Sequence, residues 1–203
     1  RLEWAAAVEA LMPAFDNGRL AVPNADTAIV VDGIPNDLTW TQRLDDDPSE
    51  VFCLESDTNS VMARWSETAL VMAFSASSHS GAGQLELAVS PGPSSPTGPV
   101  RRFSVLIDRN QVSESSLRVG TQETPWQCDW EVATSNWRNQ WNAEIRIPLS
   151  EFSMLGLPNS LYRWRLSAIL RQPETAQEIV RWGSSNVEKV EHGIVLAFKE
   201  LSP

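Results

Sequence analysis

The sequence predicts an all-β protein, an antiparallel β-sandwich or jelly roll with a short helix at its N-terminus. Three observations carry that expectation. From Pro23 onward, apolar residues recur at every second position in short runs. Gly, Pro, Asn and Asp clusters punctuate those runs. No stretch of helical period separates them, which argues against a βαβ alternation and a doubly wound parallel sheet. The chain has 203 residues. A domain of that size buries roughly 70% of its unfolded surface and needs no metal or disulfide staple.

The N-terminal residues differ in period. Leu2, Trp4, Ala5, Val8, Leu11, Met12 and Phe15 share one helical face, and Asp16-Asn17-Gly18 stops the pattern. Residues 1–23 therefore read as a helical extension and 24–203 as the sandwich. Thr27 to Val31 is β-branched and ends at Asp32-Gly33. Val61–Trp65 and Thr68–Phe74 flank Ser66-Glu67 as a hairpin would. In Gln84–Ser90, Leu85, Leu87 and Val89 oppose Gln84 and Glu86. Pro91 to Pro99, PGPSSPTGP, is a loop by composition. Arg102–Ile107 turns Phe103, Val105 and Ile107 inward. Trp141, Ala143, Ile145 and Ile147 oppose Asn142, Glu144 and Arg146, and Pro148 closes that strand. Tyr162, Trp164, Leu166, Ala168 and Leu170 oppose Arg163, Arg165 and Ser167. Gly193–Phe198 is the last strand.

Charge and missing motifs narrow the function. The formal net charge is −10. Such a surface repels phosphate backbones, so no nucleic-acid partner is expected. No window approaches the length of an apolar membrane span, so no transmembrane span is expected in this chain. There is no phosphate loop, no G-x-S-x-G elbow and no H-E-x-x-H. His79 and His192 lack metal-ligand spacing. Asp45-Asp46-Asp47 reads as a solvated acidic loop rather than a calcium site. No enzyme, cofactor or metal site is expected. Cys53 and Cys128 sit in no C-x-x-C frame; a disulfide between them and two separate thiols are both open readings.

Several segments recur in a familiar order. They are VDGIPNDLTW (Val31–Trp40), QLELAVSPG, RFSVLID, WNAEIRIPLSEF (Trp141–Phe152), YRWRLSAILR (Tyr162–Arg171), Arg181-Trp182 and HGIVLAF (His192–Phe198). In that order they resemble the carbohydrate-binding module family 9-like (CBM9-like) domains of bacterial secreted and envelope proteins. The likeness spans about Asp26 to Lys199, and its most specific part is W-x-A-E-x-x-I-P with the later R-W-R. It implies a noncatalytic jelly roll in a periplasmic or extracellular protein, binding carbohydrate between two aromatic rings. Trp182 matches the family's C-terminal Trp and is the implied plate. Glu86, Arg102, Glu144, Arg163 and Arg165 are the implied polar ligands, since charged groups bond the rim of a sugar well. The segment before QLELAV, SASSHSGAG, carries no second ring.

Nine Trp residues need sorting. Trp40, Trp141 and Trp164 have inward motif positions, Trp65 closes a strand, and Trp4 lies on the helix. Trp126, Trp130 and Trp137 crowd one stretch and are candidates, with Trp4, for a protein interface; the competing reading is a cluster shielding Cys128. The alternative function is an accessory or scaffolding subunit docking on partner subunits of an envelope complex. Glu144 facing Arg163 or Arg165 reads first as a structural ion pair. Fourteen Arg against two Lys suits such planar contacts.

Overall fold

A computed structural model describes residues 19–23, 29–36, 40, 53–56, 59–66, 68–77, 82–90, 99–107, 113–119, 122–137, 139–152, 164–183 and 193–199. The strands are β1 (Arg19–Pro23), β2 (Cys53–Ser56), β3 (Asn59–Trp65), β4 (Ala69–Ser77), β5 (Gly83–Ser90), β6 (Pro99–Ile107) and β7 (Ser113–Val119). They continue with β8 (Gln122–Pro125), β9 (Glu131–Trp137), β10 (Gln140–Pro148), β11 (Trp164–Gln172), β12 (Gln177–Trp182) and β13 (Ile194–Lys199). A 3-10 turn, Leu149–Phe152, follows β10.

Two sheets form a β-sandwich. The larger runs β1-β13-β11-β5-β6-β7-β8, with β12 paired to the far end of β11; the smaller runs β2-β3-β4-β10-β9. All neighbours are antiparallel except β1 with β13. That parallel pair brings residues 19–23, assigned to the N-terminal extension by helical period, into the larger sheet. The predicted helix itself, with Trp4, lies outside the described residues.

Period-2 alternation builds the core as expected. Leu85, Leu87 and Val89 of β5, Phe103 and Val105 of β6, Trp141, Ala143 and Ile145 of β10, and Leu166, Ala168 and Leu170 of β11 share one buried cluster. The Ser66 hairpin forms between β3 and β4. Its side chain accepts from the amides of Thr68 and Ala69 at 3.3 and 3.1 Å, an ST-turn that closes the connection. Gly83 leaves room for the Trp141 indole; a Cβ there would lie 2.9 Å from the ring.

Three differences from the sequence expectation have physical causes. Residues 29–31, read as part of a β-branched strand, form no ladder; they belong to an irregular segment over the smaller sheet. β7, β8 and β9 come from polar stretches such as SESSLRV and QETP. They were not foreseen because pairing, not an apolar face, defines them. β12 closes a tight return after β11, with Ala168 opposite Trp182.

The irregular segment makes a second, smaller core. Ile29 and Trp40 cover Val71 and Ala73 on the smaller sheet's far face. The outward side of β10 is therefore buried too: Asn142 is 1% and Glu144 0% exposed. Arg146 donates to the Ile29 carbonyl, and Ser135 Oγ donates to the Gly33 carbonyl at 2.7 Å. Gly33 has φ +84°, and a Cβ would sit 2.8 Å from the Thr134 carbonyl carbon, so only glycine fits this close approach.

Candidate functional site

The expected polar residues separate onto different parts of the sandwich. Glu144 lies beneath the irregular segment. Its Oε1 accepts from Trp40 Nε1 at 2.9 Å, and its Oε2 accepts from the amides of Asp32 and Gly33 at 3.0 and 2.9 Å. Burial pushes this carboxyl above the usual glutamate range, and the three donors pull it partly back. The expected ion pair with Arg163 or Arg165 is absent for Arg165, because β10 and β11 belong to different sheets. Arg165 is itself 2% exposed and donates to the Gly193 carbonyl at 3.1 Å. Arg163 lies outside the described residues.

Trp182 is inside the protein. It is 6% exposed, and its ring meets Phe74 of the opposite sheet at 5.5 Å and 60°. A ring bridging the two sheets offers no open face to a sugar. The plate implied by resemblance is here a core residue.

Trp126 and Trp130 are half-buried. Both pack on Phe103, with ring centroids 6.0 and 4.9 Å apart. The Arg101 guanidinium lies 5.7 Å from the Trp126 ring and 5.8 Å from Phe152. The side chain of Trp137 lies outside the described residues. Cys128 sits in this cluster with a free thiol. Burial, with Glu151 beside it, pushes the thiol up to about 12. The alternative of a bond to Cys53 fails on distance. Cys53 is on β2 and Cys128 just precedes β9, the opposite edge of the same sheet. Four strand spacings of ~4.8 Å separate those edges, whereas a disulfide needs Cα atoms within ~7 Å.

Glu86 and Arg102 do come together. An open hollow of about 1150 Å³ lies over β5 to β8 and includes both. Alternation puts Glu86, Arg102, Ser104, Glu114, Ser116 and Glu123 on the side of the larger sheet away from the core. The register sets Glu86 opposite Ser104, Ser104 opposite Glu114, and Arg102 opposite Ser116. Arg102 Nη1 bonds Glu123 Oε2 at 2.7 Å. Ser116 Oγ also donates to Glu123. Gln84 Nε2 donates to Ser104 Oγ at 3.2 Å. Trp126 lines the hollow, but its ring packs on Phe103. The floor is thus a mixed bed of hydroxyl, carboxylate and guanidinium groups rather than an aromatic slot.

Sequence reasoning missed Ser104, Glu114, Ser116 and Glu123. Arg102-x-Ser104 and Glu114-x-Ser116 carry the alternation that would have shown them, had the polar run 113–119 been read as a strand. Among the described residues, no group of three or more His, Cys, Asp and Glu is placed to hold a metal ion. No helix among them is long and apolar enough to cross a membrane.

No family profile matches the chain, and no curated protein matches it. Solved structures do. One is a carbohydrate binding module family 9 from Caldicellulosiruptor kristjanssonii in complex with glucose, with TM-score 0.50 and 12% identity, covering 90% of this chain and 97% of that one. A second, the same module in complex with cellotriose, also has TM-score 0.50 and 12% identity and covers 91% and 95%. The chain therefore shares the β-sandwich of family 9 carbohydrate-binding modules over nearly its whole length.

Proposed function

We propose that this is a noncatalytic carbohydrate-binding domain of an extracytoplasmic protein, and that its ligand lies in the hollow over β5 to β8. The observation that carries this reading is the convergence of Glu86, Arg102, Ser104 and Glu114 on one open surface. Sugar hydroxyls are both donors and acceptors, and a bed mixing carboxylate, guanidinium and hydroxyl groups answers both. The fold's likeness to structures holding glucose and cellotriose supports the ligand class. Without an exposed ring plate among the described residues of the hollow, the site relies on polar contacts that compete with water, so affinity is modest.

The docking reading of a scaffolding subunit takes second place. It rests on Trp4, Trp126, Trp130 and Trp137; the rings of Trp126 and Trp130 pack on Phe103, while Trp4 and the Trp137 side chain lie outside the described residues.

Calorimetric titration with a panel of neutral mono- and oligosaccharides tests the proposal. Binding that Arg102→Ala weakens severalfold supports it. Binding unaffected by Arg102→Ala, or no binding by the folded protein, refutes it.

A further inference from the structure

We infer that the hollow prefers a sugar bearing a protonated amine, a 2-amino-2-deoxyhexose or its oligomer, over a neutral or acidic sugar of the same shape. This rests on the carbohydrate reading of that hollow and adds the charge of its ligand.

The argument begins with charge pairing. Three carboxylates, Glu86, Glu114 and Glu123, and one guanidinium, Arg102, line the hollow. Arg102 and Glu123 neutralise each other at 2.7 Å. Glu86 and Glu114 have no hydrogen-bond or ion-pair partner among the described residues. Of the described arginines on the neighbouring strands, Arg165 bonds the Gly193 carbonyl, Arg181 bonds Glu178, and Arg171, paired with Gln84, does not line the hollow. The described residues lining the hollow therefore carry two negative charges in excess.

Placement makes those charges act on one ligand. Glu86, Ser104 and Glu114 form a row across β5, β6 and β7. Two strand spacings of ~4.8 Å put the stems of the two carboxylates about 10 Å apart, one on each side of the serine. A pyranose seated over Ser104 has a ring substituent within reach of either carboxylate. An ammonium group there makes a charge-assisted hydrogen bond that a hydroxyl cannot match. A uronate brings a third negative charge to the same row.

Calorimetry at low ionic strength with glucosamine, N-acetylglucosamine, glucose and glucuronate tests this. These probes hold the ring nearly constant while the charge changes. The expected result is glucosamine binding about tenfold more tightly than glucose, the size of one partly solvated ion pair. N-acetylglucosamine should match glucose, and glucuronate should be weakest. The preference should shrink at ~0.5 M salt, where screening is short-ranged. The double variant Glu86→Gln, Glu114→Gln, checked by its melting temperature to be folded, should bring the glucosamine-to-glucose ratio towards one. Equal binding of glucose and glucosamine, or a ratio that survives the double substitution, overturns the inference while leaving the carbohydrate reading standing. No binding of any of the four sugars by the folded protein removes the carbohydrate reading itself, and the inference with it.

Discussion

Trp40 Nε1 donates to Glu144 Oε1 across 2.9 Å, joining residues 104 positions apart in the chain. The other Glu144 oxygen accepts the amides of Asp32 and Gly33. The D-G…W segment and the W-x-A-E strand are thus two halves of one hydrogen-bonded unit. The buried carboxylate fastens the irregular segment over the smaller sheet.

That unit predicts an order of stability losses. Trp40→Phe removes one donor and should cost about 1–3 kcal/mol. Glu144→Ala strands three donors at a buried site and should cost more, about 3–5 kcal/mol. Gly33→Ala should cost at least 1 kcal/mol, roughly, from its left-handed backbone and from the clash with β9. Urea unfolding midpoints measure all three. A Glu144→Ala variant as stable as wild type would show that the carboxylate is not the fastener.

The same carboxylate makes a pH prediction. Its folded value is raised by burial. Its contribution is fully present below the unfolded glutamate value and is lost as pH rises through the raised folded value. The stability difference between wild type and Glu144→Gln should therefore shift against wild type as pH climbs through that window. Paired denaturation curves at stepped pH measure it. A difference that moves the other way would mean that the three donors, not burial, dominate.

Trp182 should behave as a core residue. Trp182→Ala should destabilise by about 3–5 kcal/mol through the cavity left against Phe74. Trp182→Phe, where folded, should leave sugar affinity within a factor of about two, because such changes to packing far from a ligand add little. A large affinity loss at unchanged stability would restore the ring to a binding role.

Cys128 should be slow to react. Its thiol is pushed from 9.0 to about 12, so little thiolate exists near neutrality. Labelling by an aromatic disulfide reagent at mildly alkaline pH should be slow in the native state and fast after unfolding. The linkage sign follows: stability from the protonated thiol is present below 9.0 and lost as pH rises towards 12. Cys128→Ala should lack that alkaline loss. Rapid native labelling would contradict the buried environment.

Strand alternation made the main core legible: Leu85, Phe103, Trp141 and Leu166 stand where period 2 puts them. The second core was not legible, because the partners of Glu144 are backbone amides and an indole far away in sequence. Glu86 and Arg102 were readable as outward-facing residues of apolar strands. Glu114 and Ser116 were not, since SESSLRV carries only Leu117 and Val119 as apolar residues and becomes a strand by pairing with β6 and β8. Trp182 misled because its motif position reports the fold, while its neighbour Phe74 decides whether the ring is exposed.

Backbone amide chemical-shift mapping during titration with glucosamine tests the central claim most directly. The account predicts shifts concentrated at Glu86, Ser104, Glu114 and Ser116, with Trp182 and Glu144 silent. Shifts centred on Trp182, or none up to ligand saturation of the instrument's range, would contradict it.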